Sequence, residues 1–109
     1  MFSRRLVRKQ KGGNEMINIT VFTQNGCRNC EPVKLYLNDI TPTLENVEFK
    51  YINLDEVLPE VKESYKAKHR LMAAPTLIFE RNGHEMARTT GITAIDDFLD
   101  CLEHARNAK

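Results

Sequence analysis

Two cysteines three positions apart, Cys27 and Cys30, are the residues of this sequence best suited to chemistry. A cysteine reacts as its thiolate, and a thiol with the ordinary pKa of about 8.5 is mostly protonated at neutral pH. The pair becomes reactive if Cys27 stands at a helix N-terminus, where unpaired backbone N–H groups and the helix dipole stabilise negative charge. Cys30 then lies one turn along the same helix and reaches back. In that geometry Cys27 attacks a disulfide and Cys30 resolves the mixed disulfide, leaving a reduced product and a Cys27–Cys30 bond. Arg28 between them favours the thiolate, and Asn29 offers hydrogen bonding.

Two other readings of the pair are open. A Cys-x-x-Cys can be half of a zinc site, yet a structural site takes four ligands, and Cys101, His69, His84 and His104 show no second paired spacing. The pair can also be an inert structural couple. That fits poorly with a position between a strand and a helix, where a redox site is expected to lie.

The elements that must hold the pair follow from hydrophobic spacing. Ile17, Ile19 and Val21 alternate with Asn18 and Thr20, the period of a strand with one face in a core, and predict a strand over Ile17 to Phe22. Thr23-Gln24-Asn25-Gly26 supplies turn residues, after which Val33, Leu37 and Ile40, with Tyr36, recur at helical spacing. A helix is therefore expected to begin at or just after Cys27, with Pro32 in its first turn and Thr41-Pro42 closing it. Val47, Phe49 and Tyr51 predict a second strand, parallel to the first because a helix joins them. Asp55 leads into a second helix with Pro59 near its start and Leu58, Val61 and Tyr65 on one face. Thr76-Leu77-Ile78-Phe79, a turn at Arg81-Asn82-Gly83, and His84 to Thr89 read as a β-hairpin, since Asn-Gly accepts positive φ. Ile95, Leu99 and Leu102, joined by Phe98, define a C-terminal helix with Asp96, Asp97 and Asp100 toward water. The expected class is α/β: βαβ, then a helix, then ββα, with a four-stranded mixed sheet flanked by three helices.

Composition bounds the function. The chain has 109 residues, 41% apolar and 28% charged, enough for one core and one domain over residues 16–109. No apolar run approaches the roughly 20 residues of a membrane span, so a membrane role is not expected. Arg4, Arg5, Arg8, Lys9 and Lys11 against Glu15 give residues 1–15 a charge of +4, which leaves −3 for residues 16–109 from a total of +1. The mildly acidic body carries no nucleic-acid footprint. Residues 1–15 end in Gly12-Gly13 and read as a flexible basic extension. Codons for Lys11-Gly12-Gly13 can spell a ribosome-binding sequence just before Met16, which is a candidate native start. Three cysteines do not make a disulfide framework, and with no secretory pattern at the start the cytoplasm is the expected compartment.

With these elements in place, residues 17–106 resemble the thioredoxin superfamily. Thr20 to Cys30 resembles the opening of glutaredoxins and of the glutaredoxin-like reductants of ribonucleotide reductase. Ala74-Pro75-Thr76-Leu77-Ile78-Phe79, followed by Asn82-Gly83 and Gly91, resembles the C-terminal half of thioredoxins. The resemblance implies a cis Ala74-Pro75 bond, Pro75 packed beside the cysteines, and an Ala74 backbone that pairs with an extended substrate. It also implies that Gly26, Arg28 and Asn29 form part of the substrate surface.

The departures from the family are as informative. The chain has no tryptophan, and Val21 stands where thioredoxins place a buried acid six residues before the first cysteine. Glu31 is the neighbouring acid that could serve Cys30, or it could simply favour the helix dipole. Gly91-Ile92-Thr93 lacks the second glycine and the acid of the glutathione loop. The resemblance therefore implies a monomeric dithiol oxidoreductase that reduces protein disulfides, with ribonucleotide reductase a possible acceptor. It needs no bound cofactor or metal and takes electrons from NADPH through a thioredoxin reductase-like flavoprotein. A glutathione-dependent glutaredoxin-like enzyme, an iron–sulfur carrier using Cys27, and a non-catalytic thioredoxin-fold binding module are the alternatives. Cys101 reads as a packing residue, Met72 as groove lining or core filling, and the three histidines as surface residues.

Overall fold

A computed structural model describes residues 16–107; the expectations about residues 1–15 lie outside them. Strand β1 (Ile17–Thr23) is followed by helix α1 (Cys30–Ile40), a 3₁₀ turn (Thr41–Thr43), β2 (Val47–Asn53), α2 (Pro59–His69), β3 (Thr76–Arg81), β4 (His84–Thr90) and α3 (Thr93–Asn107). The strands form one mixed sheet in the order β2-β1-β3-β4. β1 pairs parallel with β2 and antiparallel with β3, and β3 pairs antiparallel with β4. This is the βαβ-α-ββα architecture expected from the hydrophobic periods.

β1 occupies the centre because both of its faces have something to bury. Ile17, Ile19 and Val21 join Val33 and Leu37 of α1, Leu77 and Phe79 of β3, and Phe98 and Leu102 of α3 in the main core. Phe22 points the other way, into a second cluster with Ile52, Leu54, Leu71 and Ile78, against which Val57 and Tyr65 pack. The period-2 alternation of side chains thus sends α1 and α3 to one face and α2 to the other.

Each turn has a local cause. Asn82 (φ 55°) and Gly83 (φ 81°) both hold positive φ, as a two-residue hairpin turn requires. Pro59 is the first residue of α2, where its missing N–H is not needed. Arg81 reaches across to the end of α3, its Nη1 donating to the carbonyls of Ala105 (2.9 Å) and Arg106 (2.8 Å). These are acceptors that a helix C-terminus otherwise leaves without partners, and the cation suits the negative end of the dipole.

Two expected faces are corrected. On α3 the buried residues are Ala94, Phe98, Leu102 and Ala105, while Leu99 is 56% exposed. Phe98 decides the rotation: its ring lies 5.3 Å from Phe79, 6.1 Å from Phe49 and 6.0 Å from Tyr36. Leu99, about 100° further round the helix, is carried out of the core. On α2 Leu58 is exposed and no residue is fully buried, because this helix covers its face through half-buried residues, Val61, Tyr65 and His69 among them.

Phe98→Ala removes the ring that three aromatic neighbours surround. It is expected to cost about 3–5 kcal/mol of folding free energy, read as a lower urea midpoint with an unchanged denaturant slope.

Candidate functional site

The site forms where β1 ends and α1 begins. Gly26 turns the connecting loop at φ +70°, a backbone conformation that a side chain would strain. Cys27 follows, half-buried, and its sulfur is bonded to that of Cys30, with the two Cα atoms 5.3 Å apart. Cys30 is only 3% exposed. Access to the pair is thus asymmetric.

The helix begins later than expected. Cys30 is the first residue of α1 and Asn29 its N-cap, so Cys27 precedes the helix. The cause is Pro32. A helix entered at Cys27 would place this proline beyond the first turn, where it would lack a needed N–H and crowd a carbonyl one turn back. The residues before the helix instead form a turn, with the Cys30 amide 3.3 Å from the Cys27 carbonyl. The disulfide brings the Cys27 sulfur to the first turn of α1, so the electrostatic argument survives the correction. The N–H groups of that first turn have no carbonyl one turn earlier in the helix to accept from them.

A network of polar residues that the sequence reading did not single out holds the loop. The Asn25 amide donates to Asp55 Oδ2 at 2.8 Å, and Asn53 Nδ2 donates to Asn25 Oδ1 at 3.1 Å. Asn53 Oδ1 accepts from the Asp55 amide at 2.8 Å, and Lys62 Nζ donates to Asp55 Oδ1 at 3.0 Å. The Lys62 ammonium, and after it the Asn25 amide, hold the Asp55 carboxyl below its ordinary range. The signal was present but indirect. Thr23 and Asn53 are register partners at the ends of parallel strands, so the loops that leave them must meet.

The Ala74–Pro75 peptide bond is cis, as the resemblance implied. Pro75 is fully buried and Ala74 half-buried. Thr76 pairs with Phe22, which sets the preceding Ala74-Pro75 at the same end of the sheet as the cysteine loop. Thr76 Oγ1 donates to the Ala73 carbonyl at 2.6 Å and the Gly91 amide to the Pro75 carbonyl at 2.8 Å, so both flanks of the proline are tied.

Two shallow grooves meet at Gln24. One, of about 460 Å³, is lined by Gly26, Cys27, Arg28 and Cys30 together with Glu31 and Lys34. The other, of about 210 Å³, is lined by Ala74, Met72, Lys62 and Lys66. Asn29 is exposed and lines neither groove.

The remaining candidates separate clearly. Met72 is 93% exposed, which removes core filling as its role. Glu31 has a 75% exposed side chain 3.7 Å from Lys34, turned to solvent while Cys30 is buried. Cys101 packs against the main core, and burial together with Asp97 and Asp100 pushes its thiol pKa up. His84 and His104 are exposed, but His69 is half-buried, its ring 5.4 Å from Phe22 and stacked on Tyr65, which corrects its reading as a surface residue. Among the described residues, no group of three or more His, Cys, Asp or Glu is arranged to hold a metal ion. No helix among them is long and apolar enough to cross a membrane.

Asp55→Ala is expected to speed hydrogen exchange of the Asn25 amide several-fold while leaving the β1 amides protected. The folded carboxyl has a depressed pKa, so its hold is complete above the unfolded value of about 3.9 and fades as pH falls through the lower folded value. The wild-type Asn25 amide should accordingly approach the variant's behaviour only in strong acid.

No protein-family model and no curated protein sequence matches the chain. Solved structures do. Thioredoxin f2 of Chlamydomonas reinhardtii superposes with a TM-score of 0.72 at 18% identity, over 88% of this chain and 84% of that one. Fasciola hepatica thioredoxin gives 0.68 at 21% identity, over 84% of each chain. Thioredoxin O2 of Arabidopsis thaliana in its oxidised state gives 0.69 at 19% identity, over 82% of this chain and 74% of that one. With its sheet order, its cis proline and a cysteine pair at the start of α1, the chain is built on the thioredoxin fold.

Proposed function

We propose that this protein is a dithiol–disulfide oxidoreductase that reduces protein disulfides, with Cys27 as the attacking sulfur and Cys30 as the resolving one. The observation that carries the reading is the asymmetry of the disulfide-bonded pair at the start of α1, Cys27 half-buried and Cys30 only 3% exposed. In the reduced protein the Cys27 thiolate attacks one sulfur of a substrate disulfide. A Cys27–substrate disulfide forms, and the other substrate sulfur leaves as a thiolate that takes a proton. Cys30, its thiol proton lost to solvent, then attacks the Cys27 sulfur. The Cys27–Cys30 bond forms and the second substrate thiolate departs. Two electrons have passed from the protein to the substrate.

Placement at the helix N-terminus stabilises the Cys27 thiolate that serves as the nucleophile of the first step. Arg28, exposed beside the pair, adds a favourable charge. Ala74, ahead of the tied Pro75, offers main-chain groups to an extended substrate, and Gly26 leaves the approach open because it carries no side chain. Val21, fully buried among apolar residues, offers the Cys30 proton no acid at that position.

Return of the two electrons falls to NADPH through a thioredoxin reductase-like flavoprotein. The support is the Gly91 turn, which is spent on holding Pro75 and leads into α3 without the glycine and acid of a glutathione loop. Ribonucleotide reductase is a proposed acceptor, and the cytoplasm the proposed compartment.

Purified protein with NADPH and a flavoprotein thioredoxin reductase should reduce insulin disulfides, and glutathione with its own reductase should support the reaction poorly. Cys27→Ser should abolish turnover, whereas Cys30→Ser should accumulate a substrate mixed disulfide visible by mass spectrometry. A wild-type protein that reduces no disulfide with either donor would make the fold a binding module.

A further inference from the structure

Resting on that reading, we propose that the protein prefers disulfides embedded in acidic polypeptide segments, selected by a basic track that runs along both grooves. The two grooves share Gln24, so a chain lying across Cys27 and Ala74 passes over both. On the Cys27 side the cations are Arg28 and Lys34, and on the Ala74 side they are Lys62 and Lys66, one helical turn apart on α2.

The carboxylates beside this track are already engaged. Glu31 faces Lys34 at 3.7 Å, and Asp55 accepts from Lys62 at 3.0 Å. Arg28 and Lys66 have no carboxylate partner among the described residues, and both are exposed. One lines each groove, and with Lys34 and Lys62 set against Glu31 and Asp55 they leave the track net positive. The overall charge does not explain this, since residues 16–109 sum to −3 and the excess of cations is local to the grooves.

Exposed charges act over roughly 10 Å at 0.1 M salt, the scale of a few extended residues on either side of a disulfide. Their effect falls mainly on encounter rate and on rejection of like-charged partners. Lysine-rich substrates are therefore repelled from the same surface that gathers acidic ones. Met72, 93% exposed at the edge of the Ala74 groove, supplies apolar contact that makes no distinction of charge.

The test uses the full chain, pre-reduced, in single-turnover reactions with two synthetic peptides. Each contains the same disulfide loop, flanked in one by aspartate and glutamate and in the other by lysine. Hydroxyethyl disulfide serves as an uncharged substrate. The acidic peptide should be reduced about tenfold faster than the basic one at low salt, with the gap closing as salt rises. Lys66→Gln should narrow the gap and Lys66→Glu narrow it further. Equal rates for the two peptides at low salt, or a gap that Lys66→Glu leaves intact, would overturn the acidic preference. Failure to reduce hydroxyethyl disulfide as well as both peptides would instead overturn the oxidoreductase reading on which it rests.

Discussion

The structure depends on one electrostatic constraint: a sulfur held against the N-terminus of α1. A thiol in water is a poor nucleophile at neutral pH, and the N–H groups at a helix start, which lack intrahelical partners, supply fixed partial positive charge at the pair. The rest of the fold serves to keep that geometry. β1 lies inside the sheet with one face in the main core and Phe22, at the end that launches the loop, buried on the other, so the loop starts from a rigid base. Pro32 in the first turn forbids an earlier helix start, and so keeps Cys27 outside the helix while its sulfur reaches the first turn.

The second support comes from outside the βαβ unit. β2 ends level with β1, and Asn53, Asp55 and Lys62 use that closeness to grip the backbone at Asn25. All of these bonds lie at the surface, so each is individually modest. Their value is positional, since they fix the one segment between β1 and α1 that no regular structure restrains. From the other side of the sheet end, the bonds at Ala73 and Pro75 hold the cis proline loop.

How much of this was legible in the sequence depended on how local the cause was. The alternation of Ile17, Ile19 and Val21, the Asn82-Gly83 turn and the spacing of Val33 and Leu37 are local patterns, and the elements they predict are present. The rotation of α3 was not legible, because Phe98 meets Phe49, Phe79 and Tyr36 from three different elements. Leu99 looked equally apolar in one dimension. At the site the cysteines and the proline stood out by type and spacing. The grip on Asn25 did not, because it joins residues separated by 28 and 30 positions whose types are common in loops. The start of α1 is a different case: Pro32 was visible, but its bearing on a helix entered at Cys27 was not drawn, and α1 begins at Cys30.

The central claim is that α1 makes Cys27, and not Cys30, the thiolate. Its most direct test is a pH titration of the reduced protein followed by the ultraviolet absorbance of thiolate, in the wild type and in the Cys27→Ser and Cys30→Ser variants. Cys101, whose thiol is pushed upward by burial and by Asp97 and Asp100, contributes only at alkaline pH. The account predicts one thiolate that forms well below the ordinary value of about 8.5, persists in Cys30→Ser and disappears in Cys27→Ser. A low-pH thiolate that survives in Cys27→Ser, or none below the ordinary value in the wild type, would contradict it.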